Sequence, residues 1–83
     1  MYYVYILQSQ NDNHFYIGAS ADVAKRLEKH NSGASKSTKQ YRPWNIIYME
    51  DFVTKPQAMK REYYLKSPKG YLEKRKIIDD NKR

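Results

Sequence analysis

The sequence predicts an α+β domain, a three-stranded antiparallel sheet flanked by helices in the order β-β-α-β-α-α. Three observations predict it. Two short runs rich in aromatic and β-branched residues lie close together near the start, separated by a polar cluster. A third such run is centred on Ile46-Ile47-Tyr48-Met49. Capped segments with helical spacing follow the second and third runs.

Tyr2–Gln8 reads as a strand because it combines aromatic and β-branched residues and lacks Gly and Pro. Ser9–Asn13 is a polar turn cluster, and His14–Ala19 is a second strand, which makes an antiparallel hairpin. Ser20 then serves as an N-cap, with Asp22 in the first helical turn, where a negative charge suits the helix dipole. This helix runs to about Asn31 and stops at Ser32-Gly33, where Gly33 can turn left-handed.

Ala34–Pro43 has no apolar periodicity and carries Lys36, Lys39 and Arg42 with no acid, so it reads as a basic loop. Asn45–Val53 is the third strand. Thr54 with Gln57 matches a capping box and Pro56 fits a first turn, starting a helix that runs to about Lys66. Ser67-Pro68-Lys69-Gly70 breaks it. Tyr71–Asp80 is a last helix, with Leu72, Ile77 and Ile78 as its anchors.

The 83 residues are expected to form one domain. The mean hydropathy of −1.02 points toward disorder. Nine Tyr, two Phe and one Trp point the other way, to a core edged with phenols. With no cysteine there is neither a disulfide framework nor a thiolate metal site. No apolar run approaches the ~20 residues of a membrane span, and Met1–Ser9 lacks the features of a signal peptide. A cytoplasmic protein without membrane association is the expectation.

The formal net charge of +7 is uneven. Residues 1–33 sum to zero, whereas residues 34–83 hold thirteen basic and six acidic side chains. Such a balance suits a polyanionic partner, most often nucleic acid, and equally suits a solvated lysine-rich surface.

On the first predicted helix, Val23 and Leu27 lie within ~40° of each other with His30 on the same line, and Arg26 sits ~60° to one side. Arg26 and His30 are therefore an i, i+4 pair at the edge of the buried face. Taken alone, the spacing favours a hydrogen-bonded core histidine beside an arginine that snorkels from the boundary. On the second helix, Glu62 falls in one stripe with Ala58 and Leu65, with Met59 beside it. A carboxylate there needs a metal or a partner such as Arg61 or Lys66, unless the buried face centres on Met59 and Tyr63. Tyr3 and Tyr5 share a strand face, and Tyr16 precedes Ile17-Gly18, a glycine inside a strand that marks close backbone approach. A tyrosine ladder is ordinarily structural. No phosphate loop, HExxH pair or GxSxG elbow is present, and two histidines exclude a His-rich metal site.

Taken in order, these residues resemble the GIY-YIG nuclease superfamily, in particular its small stand-alone bacterial branch. Tyr3-Val4-Tyr5 stands for the first motif and Tyr16-Ile17-Gly18 for the second, followed by Arg26, His30 and Glu62 at matching places. The resemblance covers nearly the whole chain and departs from the pattern twice. Tyr3 replaces the first motif's glycine. The family's asparagine has no clear counterpart, since Lys66 or Ser67 stands near its place and Asn81 comes late.

The resemblance implies a metal-dependent endonuclease that hydrolyses phosphodiester bonds. Tyr16 would activate or position the attacking water, supported by Tyr5 through hydrogen bonding. Arg26 would hold the scissile phosphate, and His30 would hydrogen-bond near it or assist proton transfer. Glu62 would bind one Mg²⁺ or Mn²⁺. Lys36, Lys39, Arg42, Lys66 and Lys69 would grip the nucleic-acid backbone without reading sequence. DNA is favoured over RNA, in repair or processing, with a partner protein as a source of specificity. Two rival readings stand beside this one. One is a nucleic-acid-binding module without catalysis, in which exposed tyrosines and Trp44 stack on unpaired bases. The other is a domain whose basic face meets an acidic protein.

Overall fold

The computed structural model describes residues 1–83. Strand β1 (Tyr2–Ser9) lies at the centre of an antiparallel sheet, between β2 (Phe15–Ser20) and β3 (Trp44–Phe52), in the order β2-β1-β3. Three α-helices follow the expected sequence of elements: α1 (Val23–Ser32), α2 (Lys55–Lys66) and α3 (Tyr71–Asn81). Short 3₁₀ turns occupy Lys39–Tyr41 and Pro68–Gly70.

The central place of β1 explains its near-continuous apolar run. Val4, Tyr5, Ile6 and Leu7 are all fully buried because both faces of the strand are covered. Val4 and Ile6 pack with Ile17 under Ala58 and Leu65 of α2 and Ile78 of α3. Tyr5 and Leu7 pack on the opposite face with Val23 of α1 and Trp44. Alternation along β1 therefore feeds two separate cores. On β3 the register shifts opposite Ile6 and Leu7, which pair with Tyr48 and Ile46, and the intervening Ile47 is left without a partner.

The helix ends follow their local chemistry, with one change. Thr54 and Gln57 form the expected capping box of α2, with Pro56 in its first turn. Gly33 closes α1 at φ 84°, in the left-handed region. Asp22, not Ser20, is the N-cap of α1, and its Oδ1 accepts from the Lys25 amide at 3.0 Å. Ser20 braces that turn from outside, its Oγ accepting from the Asp22 amide at 3.1 Å. The first turn of α1 thus starts two residues later than a cap at Ser20 requires.

Three further expectations are corrected. Trp44 is buried at the start of β3, 2% exposed, and its indole N–H donates to the Thr38 carbonyl at 3.0 Å, so it has no face free for a base. Leu72 is 80% exposed, because it lies about 120° around α3 from the buried Ile78 and so on a different face. His14 lies outside β2, stacked on Tyr41 with ring centroids 3.8 Å apart.

Asn31 locks α1 against the sheet. Its Oδ1 accepts from the Trp44 amide at 2.6 Å and its Nδ2 donates to the Trp44 carbonyl at 3.2 Å. A single side chain so satisfies both backbone groups at the head of β3. On the other face, Arg61 of α2 pairs with Glu50 of β3 at 2.8 Å and also binds Glu73 of α3.

Candidate active site

The candidate site gathers at β2, the edge strand on the side where α1 and α2 overhang the sheet. Tyr5 faces Gly18 across the β1–β2 ladder, and Tyr16 faces Leu7 two pairs further along. Both phenols therefore lie on the α1 face, with ring centroids 6.3 Å apart. His30 in the last turn of α1 meets both. Its ring centroid is 4.7 Å from that of Tyr16, and its Nε2 is 3.3 Å from the Tyr5 hydroxyl.

These three side chains differ in exposure. Tyr5 is fully buried and His30 is 3% exposed, whereas Tyr16 is half-buried. Burial pushes the Tyr5 hydroxyl up to about 12, with further upward pressure from the Tyr16 phenol and the Glu62 carboxylate and an opposing pull from the Arg26 guanidinium. Tyr5 is accordingly a neutral phenol at physiological pH. Burial also lowers the His30 pKa below the ordinary imidazole value, helped by the nearby charges of Arg26 and Lys29, so the ring favours its neutral form. Both ring nitrogens are engaged, Nε2 by Tyr5 and Nδ1 by Thr38 Oγ1 at 2.8 Å.

Arg26 and Glu62 come from helices on opposite faces of the sheet, yet they line the same groove of about 670 Å³. Lys25, Lys29 and Lys55 add positive charge to its walls, and Asp22 and Glu28 add negative charge. The uncharged balance of residues 1–33 concealed Lys25 and Lys29. Lys25 and Lys29 are an i, i+4 pair, and that spacing was the available signal.

Glu62 lies at the margin of the α2 core face, with its side chain 22% exposed, while Ala58 and Leu65 on the same face are buried. The alternative face centred on Met59 and Tyr63 is turned outward, at 50% and 79% exposure. Glu62 Oε2 accepts from Lys66 Nζ at 2.7 Å, and Oε1 has no protein partner. Arg61 is committed elsewhere, to Glu50 and Glu73. Lys66 also lies 5.6 Å from the Tyr16 ring centroid, reaching around the edge of β2 from the α2 side. It lines a second groove of about 430 Å³ with Tyr16, Tyr71, Lys74 and Arg75.

The remaining candidate cations are dispersed. Lys36 and Lys39 are exposed in and beside the turn after α1. Arg42 covers the end of α1, so close that a Cβ on Gly33 would lie 1.9 Å from its Nη1. Lys69 sits in the turn between α2 and α3, where its carbonyl accepts from the Tyr64 hydroxyl at 3.4 Å.

No group of three or more His, Asp or Glu side chains is assembled to chelate a metal ion. A lone, half-buried carboxylate with one free oxygen still fits a hard divalent cation that keeps waters and takes its other oxygens from a substrate.

A sheet edge that brings Tyr5, Tyr16, His30, Arg26 and Glu62 into one neighbourhood matches a known class of domain. Residues 1–76 match the family model described as the GIY-YIG catalytic domain, and the chain belongs to that family. Its fold is a nuclease fold, and nucleic acid is the substrate class that the family implies. Among its relatives are UPF0213 protein SSP2268 of Staphylococcus saprophyticus and UPF0213 protein SERP0126 of Staphylococcus epidermidis. Each is 43% identical over 67 residues, which is 80% of this chain and 80% of the relative. The solution structure of UPF0213 protein BH0048 from Bacillus halodurans is similar at 32% identity and a TM-score of 0.54. The match covers 94% of this chain and 82% of that one. No helix is long and apolar enough to cross a membrane.

Proposed function

We propose that residues 1–83 act as one GIY-YIG domain, a divalent-metal-dependent endonuclease that hydrolyses phosphodiester bonds in nucleic acid, DNA before RNA. The observation that carries this reading is the shared groove of Arg26 and Glu62, with Tyr16 and His30 grouped at the neighbouring edge of β2. A cation to hold a phosphate and a carboxylate to hold a metal face one space. A half-buried phenol stands close by, and its hydroxyl has no protein partner.

The roles follow from exposure and charge. Tyr16 positions the attacking water, its hydroxyl oxygen accepting a hydrogen bond from it. Tyr5, buried and neutral, does not reach solvent and acts by holding His30 in place. His30 has both nitrogens engaged, so it steadies this phenol pair and does not grip phosphate directly. Arg26, exposed on α1, binds the scissile phosphate and offsets charge that develops on its oxygens. Glu62 would hold one Mg²⁺ or Mn²⁺, which supplies charge neutralisation at the phosphate. Lys36, Lys39, Arg42, Lys66 and Lys69 contact the backbone without base readout, which gives little sequence preference. A cytoplasmic role in DNA repair or processing, with specificity supplied by a partner protein, fits such an enzyme.

A second reading has one observation in its favour. Lys66 holds Glu62 through a 2.7 Å ion pair, as a nucleic-acid-binding module that never loads a metal would do. The two readings separate on cleavage of a labelled panel of single-stranded, duplex, flap and branched DNA and of RNA, with Mg²⁺ or Mn²⁺, beside Glu62→Ala. Cleavage that disappears in the variant supports the endonuclease. Salt-sensitive binding by a wild type that cuts nothing supports the binding module.

A further inference from the structure

The loop after α1 contains one residue that behaves as part of a core. Thr38 is 1% exposed amid the exposed Lys36, Ser37, Lys39 and Gln40. Its carbonyl accepts from the buried indole of Trp44 at 3.0 Å, and its amide donates to the Ser35 carbonyl at 3.3 Å. Its hydroxyl oxygen lies 2.8 Å from His30 Nδ1. The other face of that imidazole meets the Tyr5 hydroxyl at 3.3 Å.

A neutral imidazole carries one ring proton, and the hydroxyls on either side can donate or accept. Counting donors decides the arrangement. If the proton is on Nε2, it goes to the Tyr5 oxygen and Thr38 donates to Nδ1. The Tyr5 O–H, on a fully buried residue, then has no acceptor within the protein. If the proton is on Nδ1, it goes to Thr38 Oγ1, and the Thr38 hydroxyl turns to the Ser35 carbonyl, 3.5 Å away. Tyr5 then donates to a bare Nε2. Every buried donor has an acceptor only in this second pattern.

We propose that Thr38 is a positioning residue that fixes His30 as the Nδ1–H tautomer, so that Tyr5 donates its hydroxyl proton inward to Nε2. The chain of hydrogen bonds runs in one direction, from Tyr5 to His30 to Thr38 to the Ser35 carbonyl. Arg26 and Lys29 on α1 face the same ring, Tyr5 and Tyr16 meet it from the sheet, and their combined setting keeps it uncharged. Trp44 anchors the loop that supplies Thr38. The part concerning catalysis rests on the nuclease reading, whereas the tautomer does not.

Nitrogen-15 NMR of the His30 ring tests it without any substrate. The only other histidine, His14, is exposed, so two ring systems must be told apart. The wild type should show a protonated Nδ1 and a bare Nε2. Thr38→Val, which keeps the shape and loses the hydroxyl, should shift His30 toward Nε2–H or a tautomer mixture, and Thr38→Ser should restore the wild-type pattern. Cleavage, where present, should fall roughly ten-fold in kcat for Thr38→Val with KM little changed. A wild-type ring protonated on Nε2 overturns the proposal whatever the activity. So does an unchanged Nδ1–H spectrum in Thr38→Val. If Thr38→Val does not fold, the wild type and Thr38→Ser decide the matter. A wild type that cuts nothing yet shows Nδ1–H defeats the nuclease reading and leaves Thr38 in its place.

Discussion

Gly18 lies directly across the β1–β2 ladder from Tyr5, and a Cβ on Gly18 would sit 2.5 Å from the Tyr5 hydroxyl oxygen and 3.0 Å from the Tyr16 ring. The glycine is what lets the phenol cross its own neighbouring strand to reach His30. Gly18→Ala should push the Tyr5 ring aside and break the Tyr5–His30 contact. The expected costs are about 1–3 kcal/mol of stability from overpacking and on the order of 100-fold in cleavage from a displaced site. Chemical denaturation and single-turnover kinetics measure the two effects separately. Unaltered cleavage in the folded variant would mean that the Tyr5 position is unimportant.

In the proposed enzyme, Lys66, which pairs with Glu62 at 2.7 Å, would compete with the metal ion for that carboxylate. An exposed pair of this kind is worth about 0.5 kcal/mol, so Lys66→Met should lower the Mg²⁺ concentration for half-maximal cleavage by about two-fold. The same change removes one phosphate contact, and the slope of log affinity against log salt should become shallower by about 0.9. A higher Mg²⁺ requirement in the variant would place Lys66 inside the metal site as a helper.

His30 sets an acid limit. Its pKa is lowered in the native state by burial and by the charges of Arg26 and Lys29. Between that lowered value and the ordinary ~6.5, the unfolded chain binds more protons than the native one. The contribution of neutral His30 is complete above ~6.5 and is lost as pH falls through the lowered pKa. Protonation also removes the acceptor for Tyr5. Stability and cleavage should decline together on that limb, and His30→Gln should abolish the titration. Glu50 has a depressed pKa because of the Arg61 hydrogen bonds, so its stabilisation is lost only at more acid pH, in and below the carboxylate range. Urea denaturation across the pH range resolves the two steps.

Arg61 ties three elements by pairing with Glu50 of β3 and Glu73 of α3, and its side chain is only 22% exposed. Arg61→Met keeps the aliphatic stem but leaves Glu50 in a confined setting. About 2 kcal/mol of destabilisation is expected, with metal binding unaffected because Glu62 is not part of this network. A loss below ~0.5 kcal/mol would show the network to behave as a surface ion pair.

Much of the architecture was legible because local and tertiary signals agreed. The capping box at Thr54 and Gln57, the stop at Gly33 and the apolar run of β1 each follow from local chemistry and are each found. Helical spacing puts His30 on the line of Val23 and Leu27, and it is buried there, whereas Arg26, expected beside it at the edge of that face, is exposed. What escaped depended on partners distant in sequence. Trp44 seemed available for stacking because nothing in its neighbourhood announces that Thr38 will accept from its indole. Thr38 itself sits in a segment with no periodicity, so its approach to His30 had no signal. Residue type alone suggests a core place for Leu72, yet helical spacing turns it about 120° away from Ile78. Asp22 is the cap in place of Ser20 because β2 runs through Ser20 and α1 begins at Val23, although either side chain suits the position. The groove lysines Lys25, Lys29 and Lys55 were hidden because a net charge summed along the chain ignores which side of the molecule each charge occupies.

The most direct test compares the wild type with Glu62→Gln, a change that preserves shape and removes the carboxylate charge. Both proteins would cut the same end-labelled DNA in Mg²⁺ buffer, after circular dichroism has shown equal folding. Endonucleolytic cleavage by the wild type, reduced about 100-fold or more in Glu62→Gln with DNA affinity retained, is the expected result. Equal cleavage by the two proteins, or none by the wild type at any Mg²⁺ or Mn²⁺ concentration, would contradict a metal-dependent nuclease built on Glu62.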